Sequence, residues 1–184
     1  IEGIEAMNEL YTRYQITSDK RRVSEADWFY VSQEIALDRG DIYIGQSSIT
    51  LGAAATVSLQ MKTGADTDVY LIGLDIVTTA TRITEKIIEA PTITDGTTEL
   101  TMLNMNRQSD QTPGFTIYTD PTSISSGTVI DQVEKYEAKK SPQSAVGGAF
   151  LRIKFKRSED YVLSLINGDN QQTLAFVKFY MLEI

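Results

Sequence analysis

The sequence predicts a mainly β protein: an antiparallel β-sandwich, jelly-roll-like, with an N-terminal arm containing a short helix. Three observations point there. From Asp41 to the C-terminus, short alternating or β-branched stretches recur at close intervals. Clusters of Gly, Asn, Asp and Ser separate them. Clear helical spacing of apolar residues is confined to the region before Gln15. The chain has 184 residues and no Cys. At about 150 residues a domain already buries roughly 68–70% of its unfolded surface, so a core needs no covalent staples. No internal repeat is visible.

Residues 1–27 read as the arm and residues 28–184 as the sandwich. Ile4, Met7, Tyr11 and Tyr14 fall at helical spacing with Leu10 beside them, and Glu2, Glu5, Asn8, Glu9 and Arg13 take the other face. A helix of about three turns is marginal alone in water, so this stripe needs a partner surface on its own domain, a sister subunit or another protein. Interfaces favour Tyr and Met, which makes Ile4, Met7, Leu10, Tyr11 and Tyr14 candidate interface residues. The polar run Thr17–Arg22 ends the pattern. The chain opens on Ile rather than Met, which suggests a processed or trimmed product. Glu2, Glu5 and Glu9 argue against a secretory leader, and no apolar run is long enough to suggest a membrane span.

Asp27–Leu37 fits helix or strand, with strand preferred, and Asp38-Arg39-Gly40 reads as a turn. Asp41–Ile44 is a short strand. In Thr56–Met61, Val57, Leu59 and Met61 alternate with polar residues, the pattern of a half-buried strand. Lys62–Asp68 is a turn, and Val69–Thr79 has the long β-branched run of a central strand. Arg82–Ala90 is strand or helix, bounded by Pro91. Leu100–Leu103 and Phe115–Thr119 are strand candidates around the polar loop Asn104–Gly114. Thr122–Thr128 and Lys135–Gly148 read as loops. Leu151, Ile153 and Phe155 alternate with Arg152, Lys154 and Lys156; Tyr161, Leu163 and Leu165 repeat the pattern. Asn167–Asn170 has the chemistry of a hairpin turn leading into a closing strand, Thr173–Leu182.

The chemistry is mostly a set of exclusions. There is no His, so imidazole bases and the commonest metal ligand are missing; without Cys there is no thiolate. No Gly-x-Ser-x-Gly elbow and no Ser-x-x-Lys occurs, and Gly147-Gly148 lacks the ending of a phosphate loop. Asp66 and Asp68 flank a turn without the ligand ladder of a calcium loop, and turn formation accounts for both. Nothing singles out a carboxylate pair for glycoside hydrolysis. No cofactor, no metal and no enzymatic activity are expected. A formal charge of -8 argues against nucleic acid. The acidity is uneven, because residues 135–157 concentrate Lys135, Lys139, Lys140, Arg152, Lys154, Lys156 and Arg157. Arg152, Lys154 and Lys156 are candidate contacts to an acidic partner, or a solvated face that guards an edge.

Several segments then bear on identity. Leu37-Asp38-Arg39-Gly40 precedes a strand, and Leu51–Ala55 leads into Val57–Gly64. Glu89-Ala90-Pro91-Thr92-Ile93-Thr94-Asp95-Gly96-Thr97 leads into Asn104-Met105-Asn106-Arg107, followed by Thr116-Ile117-Tyr118-Thr119-Asp120-Pro121-Thr122. The end reads Tyr161–Asn167, then Ala175–Tyr180. In this order, over about four-fifths of the chain, the sequence resembles the tailed-bacteriophage head decoration (cement, auxiliary capsid) proteins and related head-associated β-sandwich proteins. Residues 1–30 have no counterpart in the resemblance. It implies a non-enzymatic structural protein on the outer capsid surface of a virion, made in the host cytoplasm during assembly. Its implied partners are the major capsid protein of the same virion and further copies of itself, as a dimer or trimer, with no nucleic acid and no membrane. The competing reading is a tail- or fibre-associated β-sandwich that binds host-surface carbohydrate, with Tyr30, Tyr43, Tyr70, Tyr118 and Tyr136 as stacking candidates.

Overall fold

In the computed structural model the described residues are 35–136, 145–149 and 153–184. They fall in one compact unit, Ile35–Ile184. The expected helix at Ile4–Tyr14, the boundary at 27/28 and Arg152 lie outside the described residues.

Among the described residues thirteen strands follow in chain order: β1 (Ile42–Leu51), β2 (Thr56–Thr63), β3 (Val69–Thr78), β4 (Arg82–Glu89), β5 (Thr92–Thr94), β6 (Leu103–Asn104), β7 (Phe115–Tyr118), β8 (Thr122–Ser125), β9 (Thr128–Tyr136), β10 (Ala145–Ala149), β11 (Ile153–Lys154), β12 (Asp160–Asn167) and β13 (Thr173–Glu183). One sheet has the order β10-β3-β13-β1-β6, with β11 also on β3; the other has the order β7-β2-β12-β4-β9. Every pairing is antiparallel. Setting aside the short strands β5–β8 and β11, the chain changes sheet at β1→β2, β2→β3, β3→β4, β9→β10, β10→β12 and β12→β13. That interleaving is the jelly-roll arrangement, as the sequence pattern predicts. The excursion β5–β8 adds β6 beside β1 and β7 beside β2, and pairs β5 with β8 in a small ribbon.

The core lies between the sheets. In β13 the inward residues Ala175, Val177, Phe179 and Met181 are all 3% exposed or less. Leu71, Leu74 and Ile76 of β3 lie beside them, and Leu59, Ile83, Ile117 and Leu165 of the other sheet face them in the same cluster. Phe155 packs against Tyr161 with the rings tilted and their centres 4.3 Å apart, and Tyr43 meets Phe115 edge-on at 5.8 Å. The space left in this core is about 10 Å³, lined by Leu59, Ile87, Phe155 and their neighbours. An apolar void that small is at the limit for one water and stays dry.

Four local expectations need correction. Residues 35–39 are helical, where a strand was expected through Leu37. Gly40 ends the helix with φ at +82°: its N–H donates to Leu37 O, and the Asp41 N–H donates to Ala36 O at 2.8 Å. This is the paired Schellman bonding that a left-handed Gly allows, so the turn residues were helix-ending residues. A Cβ at Gly40 would also run into Ser109. Asn167–Asn170 is not a hairpin, because β12 pairs with β2 and β4 while β13 pairs with β1 and β3. Asn167 instead shapes a passage between sheets, donating to Gly52 O and Gln171 O and accepting from Asp169 N–H. The stretch read as a loop at Thr122–Thr128 contains β8. The stretch Lys135–Gly148 holds the end of β9 and most of β10, whose pairing with β3 is interrupted between Val146 and Ala149. Two further elements are sharpened: the short strand expected at Asp41–Ile44 begins at Ile42 and runs ten residues to Leu51, and the helix-or-strand segment Arg82–Ala90 is strand β4 as far as Glu89.

Candidate interaction surface

The basic stripe comes from the approach to β12. β11 pairs with β3 through Ile153↔Leu71 and Lys154↔Tyr70, so Ile153 packs on the core and Lys154 projects outward. Lys154 Nζ contacts Asp68 at 2.5 Å and lies 5.5 Å from the centre of the Tyr70 ring. Arg157 Nε donates to the other oxygen of Asp68 at 2.8 Å. Hydrogen bonds from Lys154 first, then Arg157, hold the Asp68 carboxyl below its ordinary range. Lys156 Nζ pairs with Glu89 at 2.5 Å, and this bond chiefly holds the Glu89 carboxyl low. The sequence candidates Lys154 and Lys156 are thus each engaged by an acid of their own domain. Such exposed pairs set local geometry more than they add stability. Asp68, half of the acidic pair considered for calcium, serves as a partner for two cations. Among the described residues no group of three or more acidic side chains is arranged to hold a metal ion.

Beneath Glu89 lies a buried polar joint. The Tyr161 hydroxyl accepts from Lys156 N–H at 2.8 Å and donates to Glu89 Oε2 at 3.0 Å. Burial above all pushes the Tyr161 phenol up to about 12. The alternation of Tyr161, Leu163 and Leu165 gives no sign of this hydroxyl's two partners.

The segments that carried the resemblance are structural fasteners. Asn104 Nδ2 donates to Gly40 O at 2.7 Å, and Asn106 Nδ2 donates to Asp38 O at 2.8 Å. Each side-chain oxygen also accepts from a backbone N–H two residues on. Asn104-Met105-Asn106 and Asp38-Arg39-Gly40 are therefore two halves of one device, as Asn chemistry in turns permits. Asp120 accepts from the backbone N–H and the hydroxyl of both Thr97 and Thr98, at 2.8–3.0 Å. These bonds, led by the Thr98 N–H, hold its carboxyl at about 2. Asp95 accepts from Lys62 at 2.6 Å and from Gln60 at 2.8 Å. The Gln60 side chain also takes the Gly96 N–H, so Gln60 is fully buried beneath this loop.

The stacking candidates for carbohydrate fare differently. Tyr43 is 2% exposed and belongs to the core. Tyr70 is half-buried under Lys154, and Tyr118 is half-buried in β7. Tyr30 lies outside the described residues, and of Tyr136 only the backbone, in β9, is described.

The largest feature that periodicity did not flag is the outer face of the β1/β13/β3 sheet. At one end Ala36, Ile42 and Ile72 form a second apolar cluster with Leu37, Tyr70, Tyr180 and Leu182. At the other end Phe176, Val77 and Leu174 remain exposed beside a groove of about 350 Å³. The signal was present in β13 as apolar residues on both parities, Leu174 and Phe176 as well as Ala175 and Val177. No helix among the described residues is long and apolar enough to cross a membrane. No protein-family model, curated protein or solved structure matches the chain.

Proposed function

We propose that the chain is a structural virion protein of a tailed bacteriophage, which decorates and stabilises the outside of the head by binding assembled coat subunits. The observation that carries the reading is the ordered series from Glu89-Ala90-Pro91-Thr92 through Asn104-Met105-Asn106-Arg107 to Tyr118-Thr119-Asp120-Pro121-Thr122. It is supported by where the polar residues of that series spend their bonding. Asn104, Asn106 and Asp120 stiffen the β5–β8 excursion rather than line a cleft. The tightly filled core, with about 10 Å³ of space, leaves no room for a ligand between the sheets, since small-molecule sites need roughly 300–1,000 Å³; the groove of about 350 Å³ lies on the outer face. A protein that binds the assembled head and not free coat subunits stabilises the assembly by mass action, and several linked copies add avidity.

Co-sedimentation of the full chain with intact heads of its source, beside free coat subunits, tests the reading. Saturable binding to heads alone, with heads that survive more heating when coated, is the expected result. No binding, together with unchanged head stability, removes it; hits on a glycan array would then favour the carbohydrate-binding alternative.

A further inference from the structure

The two outer faces of the sandwich differ in how far their central residues are covered. On the β2/β12/β4 sheet the positions opposite in parity to the core residues Leu59, Leu163, Leu165, Ile83 and Ile87 mix Ser58, Ser164, Thr84 and Lys86 with Val162, Ile166 and Ile88, and Val162, Ser164 and Thr84 are buried. On the β1/β13/β3 sheet the outward positions of β13 are apolar except at Lys178, while β1 turns Gln46, Ser48 and Thr50 to the same side. Ala36 and Leu37 pack on one end of that stripe. The other end stays open: Phe176 is 53% exposed, Val77 44% and Leu174 40%. Phe176 and Val77 are direct cross-strand partners, so the patch is contiguous rather than a scatter of single residues.

We propose that this face is a two-fold interface between two copies of the chain. Charge decides the occupant. The whole chain carries -8, which repels a second copy over most of its surface. At this patch the charge balances, because Asp75 and Lys178 are cross-strand partners two residues from Val77 and Phe176. A two-fold axis along the strands, between β3 and β13, exchanges the two strands across the interface. It sets Phe176 over the partner's Val77 and Lys178 over the partner's Asp75, and each contact is made twice. The groove that Asp75, Val77, Phe176 and Lys178 help to line borders this contact. Apolar closure supplies the affinity, and the two ion pairs fix the register. This inference stands whether or not the protein attaches to a head.

Sedimentation velocity of the full chain at micromolar concentration tests it. The wild type is expected to sediment as a dimer. Phe176→Asp places a carboxylate at the centre of the patch and should weaken the dimer by roughly thirtyfold or more. The residue is half exposed, so the variant should keep its thermal melt. Asp75→Lys opposes Lys to Lys at both symmetry-related sites and should dissociate the dimer, and adding Lys178→Asp should restore it. A monomeric or trimeric wild type overturns the proposal. So does a dimer indifferent to Phe176→Asp or to Asp75→Lys, or a double charge exchange that stays apart. A monomer whose binding to heads is lost with Phe176→Asp would assign the face to the capsid instead, and also overturns it.

Discussion

Replacing Tyr161 by Phe removes one oxygen and leaves the ring that packs on Phe155. Two partners are stranded: the Lys156 N–H, 2.8 Å from the hydroxyl, and Glu89 Oε2, 3.0 Å away. Leaving such part-buried groups unsatisfied costs about 1–2 kcal/mol at neutral pH. The pH dependence is more diagnostic. The phenol of the folded protein ionises at about 12, raised chiefly by burial, against 10.0 for an ordinary tyrosine. A group with a raised folded pKa stabilises the fold fully below its unfolded value and loses that contribution as pH climbs through the folded one. The ionised unfolded chain therefore gains on the folded protein above pH 10, by ~1.4 kcal/mol at about pH 11. Tyr161→Phe lacks this titration. Urea unfolding of both proteins from neutral to alkaline pH should show the wild type ahead at neutrality and the gap narrowing above about pH 10. Equal stability at neutral pH, or a gap constant through the alkaline range, would refute the reasoning.

Other expectations follow from the same geometry. Asn167→Ala should destabilise the fold by about 1–3 kcal/mol in urea unfolding, because the side chain is 1% exposed and its loss orphans Gly52 O, Gln171 O and Asp169 N–H. The exposed neighbour Asn170, changed to Ala, should stay within about 0.5 kcal/mol of wild type. Asp120→Ala should speed amide exchange at Thr97 and Thr98 while β12 and β13 keep their protection. In the wild type the same loosening should appear on acidification: the Asp120 carboxyl is depressed to about 2 from 3.8, so its contribution holds above the unfolded value and fades as pH falls through the folded one. Exchange at the two Thr amides that ignores both the substitution and the acid would contradict the clamp.

What could be read from residue order alone was what each strand needs locally. β2, β12 and β13 announce themselves because Leu59, Leu163, Leu165, Val177 and Phe179 recur with period two and a pleated strand sends alternate side chains to one face. The limits of β3 and β4 follow from β-branched runs closed by polar turns or Pro91. Elements that borrow their order from elsewhere stayed hidden. β8 is four Ser-, Thr- and Ile-containing residues held by its ribbon with β5, and β10 contains Gly147-Gly148 and owes its extension to β3. The helical end at residues 35–39 carried its signal in Gly40, but a lone Gly serves a hairpin and a Schellman cap equally well. Tyr161, Asn104 and Asp120 were visible as residues, while their partners lie 72, 64 and 22–23 positions away, beyond any local pattern.

The sequence by itself determined that the chain is β-rich, which residues of β13 face inward, and that no imidazole or thiol chemistry is present. Tertiary structure alone decided which strands pair. Asn167–Asn170 looks like a hairpin because the turn residues and both flanking strands suit one. β12 nevertheless joins β2 and β4, and β13 joins β1 and β3. Backbone hydrogen bonding is indifferent to which strand supplies the partner, so the choice falls to side-chain burial summed over the whole sandwich. Two sheets facing each other bury Leu165 and Ala175 completely from opposite sides of one core. The same tertiary choice left Phe176 and Val77 side by side on an outer face.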